Sequence, residues 1–276
     1  TAHAGITCTV CHAITKVNST KGNADYTIEE PVHYPFAKSD NALLRFINRQ
    51  MVKAKPEFHK KTFLKDLHKK PDFCSTCHKV SIPFELNHYK EWLRGQNHYD
   101  NYHLSGVSGH GVRSFYYPPK AVDNCNKCHM PLKDSEDFGA DFFAGKEKGL
   151  KIHDHLFPGA NTGIAHLRNE PDIVKVHEEF LKGSVVVDIF GVKEGGSVDG
   201  KLIAPVRPSV PSLKPGSEYL LEVVVRTMKV GHLFSQGTAD SNEIWIDVAL
   251  ENDGKTIGRS GGLDEGKDCL LYTSPS

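Results

Sequence analysis

Three times the chain reads Cys-x-x-Cys-His: Cys8, Cys11 and His12; Cys74, Cys77 and His78; Cys125, Cys128 and His129. No other feature of its 276 residues constrains the fold as tightly. Two cysteines three positions apart can reach both vinyl groups of one porphyrin and form thioethers, and the histidine that follows then points its imidazole at the iron. The motifs therefore predict three covalently bound haem c groups, attached at the six cysteines, with His12, His78 and His129 as proximal ligands. Zinc sites and redox dithiols also use Cys-x-x-Cys pairs; the immediate histidine, repeated three times, weighs for haem. A porphyrin is a large apolar plate, and segments of about 50–60 residues bury little surface alone. Mostly irregular chain with short helices is expected wherever the motifs lie.

The sixth position on each iron decides the chemistry. The chain holds 16 His and 3 Met, and one of those methionines, Met130, is tied beside His129. Met51 and Met228 are too few to serve three irons, so bis-His ligation is expected. Such haems are low-spin and closed, suited to electron transfer rather than to binding substrate. His33 is a reasonable partner for the first haem. His59 and His68 lie just upstream of the second motif, and His153 and His155 follow the third. His3 precedes the first motif and is placed to serve a haem lying earlier in a longer protein. His177 shares the apolar face of a helix and reads as a packed residue. His232 reads either as ordinary turn chemistry or as a ligand reaching across from the second half of the chain.

The expected fold class is α+β. Residues 1–170 form a mainly α and irregular three-haem domain, 171–183 a connecting helix, and 184–267 an antiparallel β-sandwich-like domain. Within the first, Ser39 or Asp40 is placed to cap a helix carrying Leu43, Leu44, Ile47 and Met51. Pro83 to Arg94 reads as a second helix ended by Gly95, and 95–120 as a long irregular loop. The connecting helix has Pro171 in its first turn and Gly183 past its end. From Ser184 the stretches Val185–Phe190, Glu218–Thr227 and Glu243–Glu251 are rich in β-branched and aromatic residues. Turns such as Asn252-Asp-Gly254 separate them, as in a sandwich or barrel. Residues 268–276, with the odd Cys269, break this pattern and read as a non-native scar. The chain begins with Thr only seven residues before its first motif and reads as a fragment. Its 34 basic residues balance 34 acidic ones, so charge points to no nucleic-acid partner. No apolar run approaches the roughly 18–20 residues of a membrane helix.

Beyond the motifs, Asp72-Phe-Cys-Ser-Thr-Cys-His-Lys-Val80, Arg94-Gly-Gln-Asn97, Ser105-Gly-Val-Ser-Gly109, Arg113-Ser-Phe-Tyr-Tyr-Pro118 and Cys125-Asn-Lys-Cys-His-Met-Pro131 resemble multihaem cytochromes. The group includes the nitrifier tetrahaem cytochrome and hydroxylamine oxidoreductase. Val230-Gly-His-Leu-Phe-Ser-Gln-Gly-Thr238, followed by Glu243-Ile-Trp245, is similar to a segment attached to such cytochromes in environmental bacteria. The resemblance implies an extracytoplasmic, periplasmic location, with redox proteins or further haem domains of a parent chain as partners. It favours His155 over His153 as a distal ligand and supports His59 and His68. The function it implies is electron transfer. The alternative is an oxidoreductase with one open haem acting on a small nitrogen or sulfur compound. Its candidate pocket is His98, His103, His110, Arg113, Tyr116 and Tyr117, positioned to steer an anion or donate protons. A third hypothesis gives the β region a docking surface for a partner or glycan.

Overall fold

A computed structural model describes residues 6–89, 94–115, 120–143, 149–237 and 242–262. His3, Tyr116, Tyr117 and the 268–276 segment lie outside the described residues. The protein is α+β, with short helices interleaved with small antiparallel sheets. It divides into two compact units, Thr1–Gly237 and Thr238–Ser276.

The first unit opens with helix α1 (Cys8–Ala13), which runs straight into the hairpin of β1 (Ile14–Val17) and β2 (Tyr26–Ile28). Helix α2 (Ala42–Ala54) follows, capped by neither Ser39 nor Asp40. The Asn41 side chain accepts the amides of Leu43 and Leu44 at 2.9 and 3.3 Å, satisfying donors that a helix start leaves open. Leu44, Ile47 and Met51 are half-buried while Leu43 is exposed, so the expected stripe is only partly covered. Helix α3 (Pro56–Phe63) starts on a proline, as does α4 (Pro71–His78), where a missing amide costs nothing.

The helix expected over 83–94 is corrected. Among the described residues of that stretch the helix is α5 (Phe84–Asn87), between β3 (Lys79–Ser81) and β4 (Arg94–Asn97), which pair with each other. Asn87 stops the helix. Its amide donates to the carbonyls of Ile82 and Pro83, its oxygen accepts the Tyr89 amide, and His88 turns left-handed at φ 54°. Gly95 therefore sits in a strand rather than at a helix end. The loop expected over 95–120 contains helix α6 (His98–Leu104), capped by Asn97 accepting the Asp100 amide, and a 3-10 turn at Val112–Phe115. A short α7 (Asn126–His129) carries the third motif. The strands β5 (Leu132–Asp134) and β6 (Lys151–His153) pair after it.

Helix α8 (Thr162–Leu167) leads to α9 (Pro171–Leu181), the connecting helix expected from Pro171 and Gly183; Gly183 takes φ +71°. The sheet β7 (Val185–Glu194), β8 (Leu202–Ile203) and β9 (Tyr219–Thr227) is antiparallel in the order β8-β7-β9. A bulge falls at Phe190, just before Gly191, where an added Cβ would meet Leu202 at 2.9 Å. In the second unit β10 (Val248–Asn252) and β11 (Lys255–Ser260) form a hairpin. Its turn has Asp253 and Gly254 at φ 50° and 74°, as two-residue hairpin loops require. The strand expected from Glu243 starts only at Val248.

Few large side chains are buried. Among the described residues the buried apolar ones are Ala13, Ile14, Val52, Tyr102, Ala140, Ala165 and Val192, and the largest fully buried side chains are Ser75 and Ser108. Phe46, Phe58, Phe84, Leu86, Leu104, Phe157 and Ile164 are all exposed. Residues of these types ordinarily fill an interior. Local hydrogen bonding, rather than a large apolar core, holds the polypeptide around its motifs.

Candidate haem-binding site

Each cysteine pair lies along a helix or at its start. Cys8 and Cys11 lie on α1, Cys74 and Cys77 on α4, and Cys125 caps α7 with Cys128 inside it. The three-residue spacing puts each pair on one helix face. All six thiols are free. Cys74 and Cys125 hydrogen-bond to each other, which raises the Cys74 thiol and lowers that of Cys125. Burial raises Cys11 and Cys128. Three motifs distant in sequence are thus drawn into one neighbourhood.

The turn at Asp66–Lys69 is the hub that draws them together. Toward the first motif, the Lys65 ammonium donates to the His12 carbonyl, and His68 Nε2 donates to the Cys11 carbonyl at 3.2 Å. Toward the third, Asn126 donates to the His68 carbonyl at 2.9 Å and Asn124 to the Lys69 carbonyl. The second motif begins at once after the turn, on α4. A further clamp joins the β1–β2 turn to the end of α4. Asn23 donates to the Ser81 carbonyl at 2.9 Å and accepts the Ser81 amide at 2.8 Å, while the Ala24 amide donates to the Thr76 carbonyl at 2.7 Å. Lys65, Asn23, Asn124 and Asn126 escaped the sequence reading because they act on distant backbone. The two asparagines flanking Cys125 were the one local signal.

Ring nitrogens separate the histidines into two kinds. A histidine that holds a metal through one nitrogen usually donates its other N–H to a carbonyl, which fixes the tautomer. His12 Nδ1 bonds the Phe63 carbonyl at 2.6 Å, and His129 Nδ1 bonds that of Pro158 at 2.8 Å. His155 Nδ1 bonds the His153 carbonyl at 2.8 Å, and His232 Nδ1 that of Leu233 at 2.9 Å. In all four, as in His153 and His177, Nδ1 is on a carbonyl and Nε2 is the nitrogen left over. His68 differs, because its Nδ1 accepts the Lys65 amide at 3.3 Å while Nε2 donates to Cys11. Both its nitrogens are engaged, and burial lowers its pKa to about 4. His98 bonds the His78 carbonyl at 3.4 Å and the backbone of Gln236.

Ring spacings give the neighbourhoods. His12 has His68 at 4.9 Å and His155 at 6.2 Å between ring centres. His33 and His59 reach the same region through Phe63, at 5.9 and 4.8 Å from its ring. His33 also faces Glu30 at 3.6 Å. His78 has His98 at 5.2 Å, and His129 has His232 at 6.2 Å with planes only 12° apart. His153 Nδ1 bonds the Met130 carbonyl at 2.6 Å. His177 is buried on α9 with Nδ1 at 2.9 Å from the Gly159 carbonyl, as a packed helix residue should be. In the suggested substrate pocket, His103 and His110 lie 4.9 Å apart, and Arg113 is exposed. His103 Nε2 is buried without a partner among the described residues.

These residues fit a covalently held porphyrin. Free thiols lie in pairs on one helix face, and the His12 and His129 imidazoles are oriented by backbone carbonyls. Aromatic side chains surround the histidines: Phe63 by His12, Phe73 by His68, Phe180 by His129 and Phe157 by His155. Among the described residues no helix is long and apolar enough to cross a membrane. Comparison of the chain with protein-family models, with curated proteins and with solved structures returns no match.

Proposed function

We propose that the chain is an electron-transfer protein of the multihaem cytochrome kind, carrying three haem c groups through Cys8 and Cys11, Cys74 and Cys77, and Cys125 and Cys128. When bound, each haem supplies a one-electron iron couple whose potential is set by axial ligands, burial and hydrogen bonds. The observation that carries the reading is the motif geometry, in which the His12 and His129 imidazoles are held by backbone carbonyls beside second imidazoles at 6.2 Å. His12 with His155, and His129 with His232, would hold the iron of two such haems through the Nε2 atoms that their carbonyl-bound Nδ1 atoms leave over. The 66–69 turn keeps the motifs together, and a carrier needs its redox centres close. Aromatic side chains left exposed by the polypeptide would pack on porphyrin faces. An extracytoplasmic location follows from haem attachment, and redox proteins or further haem domains are the partners. The β region at 184–267, read as sandwich-like, would offer such a partner a surface.

Production in a host competent for haem attachment tests the reading. Intact mass and the pyridine haemochrome assay are expected to give three haems per chain; a bare chain overturns it. The oxidised protein is expected to show only low-spin electron paramagnetic resonance signals, unchanged by cyanide or nitrite. A high-spin component that shifts with either anion would replace the carrier with the open-haem oxidoreductase.

A further inference from the structure

Resting on that reading, we infer that His232 is the distal ligand of the third haem, so that a segment following the β7–β9 sheet completes an iron site begun by His129. The two imidazoles lie 6.2 Å apart with planes 12° from parallel. That spacing leaves room for a metal between one nitrogen of each ring, at about 2 Å from each. The shorter spacings of 4.9 Å for His12 and His68 and 5.2 Å for His78 and His98 do not. Each ring of the His129–His232 pair commits Nδ1 to a carbonyl, of Pro158 and of Leu233, and keeps Nε2 for iron.

The backbone that delivers His232 is fastened on both sides. Before it, β9 closes against the start of β7, with the Met228 amide on the Ser184 carbonyl at 2.8 Å and Lys229 on the Lys182 carbonyl at 2.7 Å. After it, Gln236 donates to the Asn97 carbonyl at 2.7 Å. Glycines stand where the segment passes closest. A Cβ on Gly231 would lie 3.3 Å from both Tyr102 and Val107, and one on Gly237, at φ +100°, 3.1 Å from the His98 ring. Such close approach presses residues 231–237 onto α6 and its flanks. The sheet is thereby part of the haem unit, and severing the chain near 183 would remove an iron ligand.

The test uses the full haem-loaded chain. His232→Ala is expected to retain three haems by pyridine haemochrome and to convert one of the three from low-spin to high-spin. Added imidazole should restore the low-spin signal, whereas His177→Ala changes no spin state. Should His232→Ala fail to accumulate, His232→Met reads the same site, since a methionine ligand keeps the haem low-spin and raises the potential of one centre. Three low-spin haems in His232→Ala, or three unshifted potentials in His232→Met, overturn the assignment. A wild-type chain without haem overturns the electron-transfer reading itself, a separate result.

Discussion

At the scale of single residues, the hydrogen bonds of an imidazole decide which of its nitrogens is left to offer. His155 and His68 both neighbour His12, yet only His155 keeps Nε2 uncommitted, at a ring spacing suited to an axial pair. His155→Ala is therefore expected to turn the first haem high-spin with little loss of stability. His68→Ala should leave all three haems low-spin and cost about 1–2 kcal/mol, because the Cys11 carbonyl and the Lys65 amide lose their partner. Electron paramagnetic resonance and thermal melts of the two variants separate these outcomes; a high-spin signal in His68→Ala would reverse the roles. Both histidines stand out in the sequence, but which nitrogen each spends depends on carbonyls brought from elsewhere.

At the scale of elements, short helices and hairpins are positioned by backbone contacts that leave little room for side chains. Gly22, at φ +82°, turns the β1–β2 hairpin onto the end of α4, where a Cβ would fall 1.9 Å from the Lys79 carbonyl oxygen. Gly22→Ala combines a left-handed conformation with that clash. It should destabilise the protein by more than about 1 kcal/mol in thermal melts, and a neutral substitution would refute the clamp. The connecting helix was legible because proline and glycine punctuation is local. The 83–94 helix was misread because Asn87 and His88 end it through bonds that hydrophobic spacing does not record. Helix α6 stands where the sequence predicts a loop, because its Tyr and His side chains resemble neither a helical stripe nor a strand, although Asn97 caps it by accepting the Asp100 amide.

At the scale of the whole molecule, many large apolar side chains among the described residues are exposed and the largest fully buried ones are Ser75 and Ser108. A chain stripped of its attachment cysteines by six Cys→Ala changes is therefore expected to bind a hydrophobic dye and to melt without a sharp transition, with secondary structure largely kept. A cooperative melt with no dye binding would show that the polypeptide needs no porphyrin core. Balanced charge implies that any partner is recognised by local patches rather than by the overall field.

The three Cys-x-x-Cys-His motifs by themselves determined the chemistry to expect, because thioether attachment and proximal ligation need only residues adjacent in sequence. They also implied a chain of short helices around inserted plates. Tertiary structure alone decided which histidines lie beside His12 and His129 and what gathers the motifs. A distal ligand is chosen by approach through space, and spacing along the chain carries no record of it. So it is that His232, 103 residues beyond His129 in the sequence, comes to lie 6.2 Å from it in the fold.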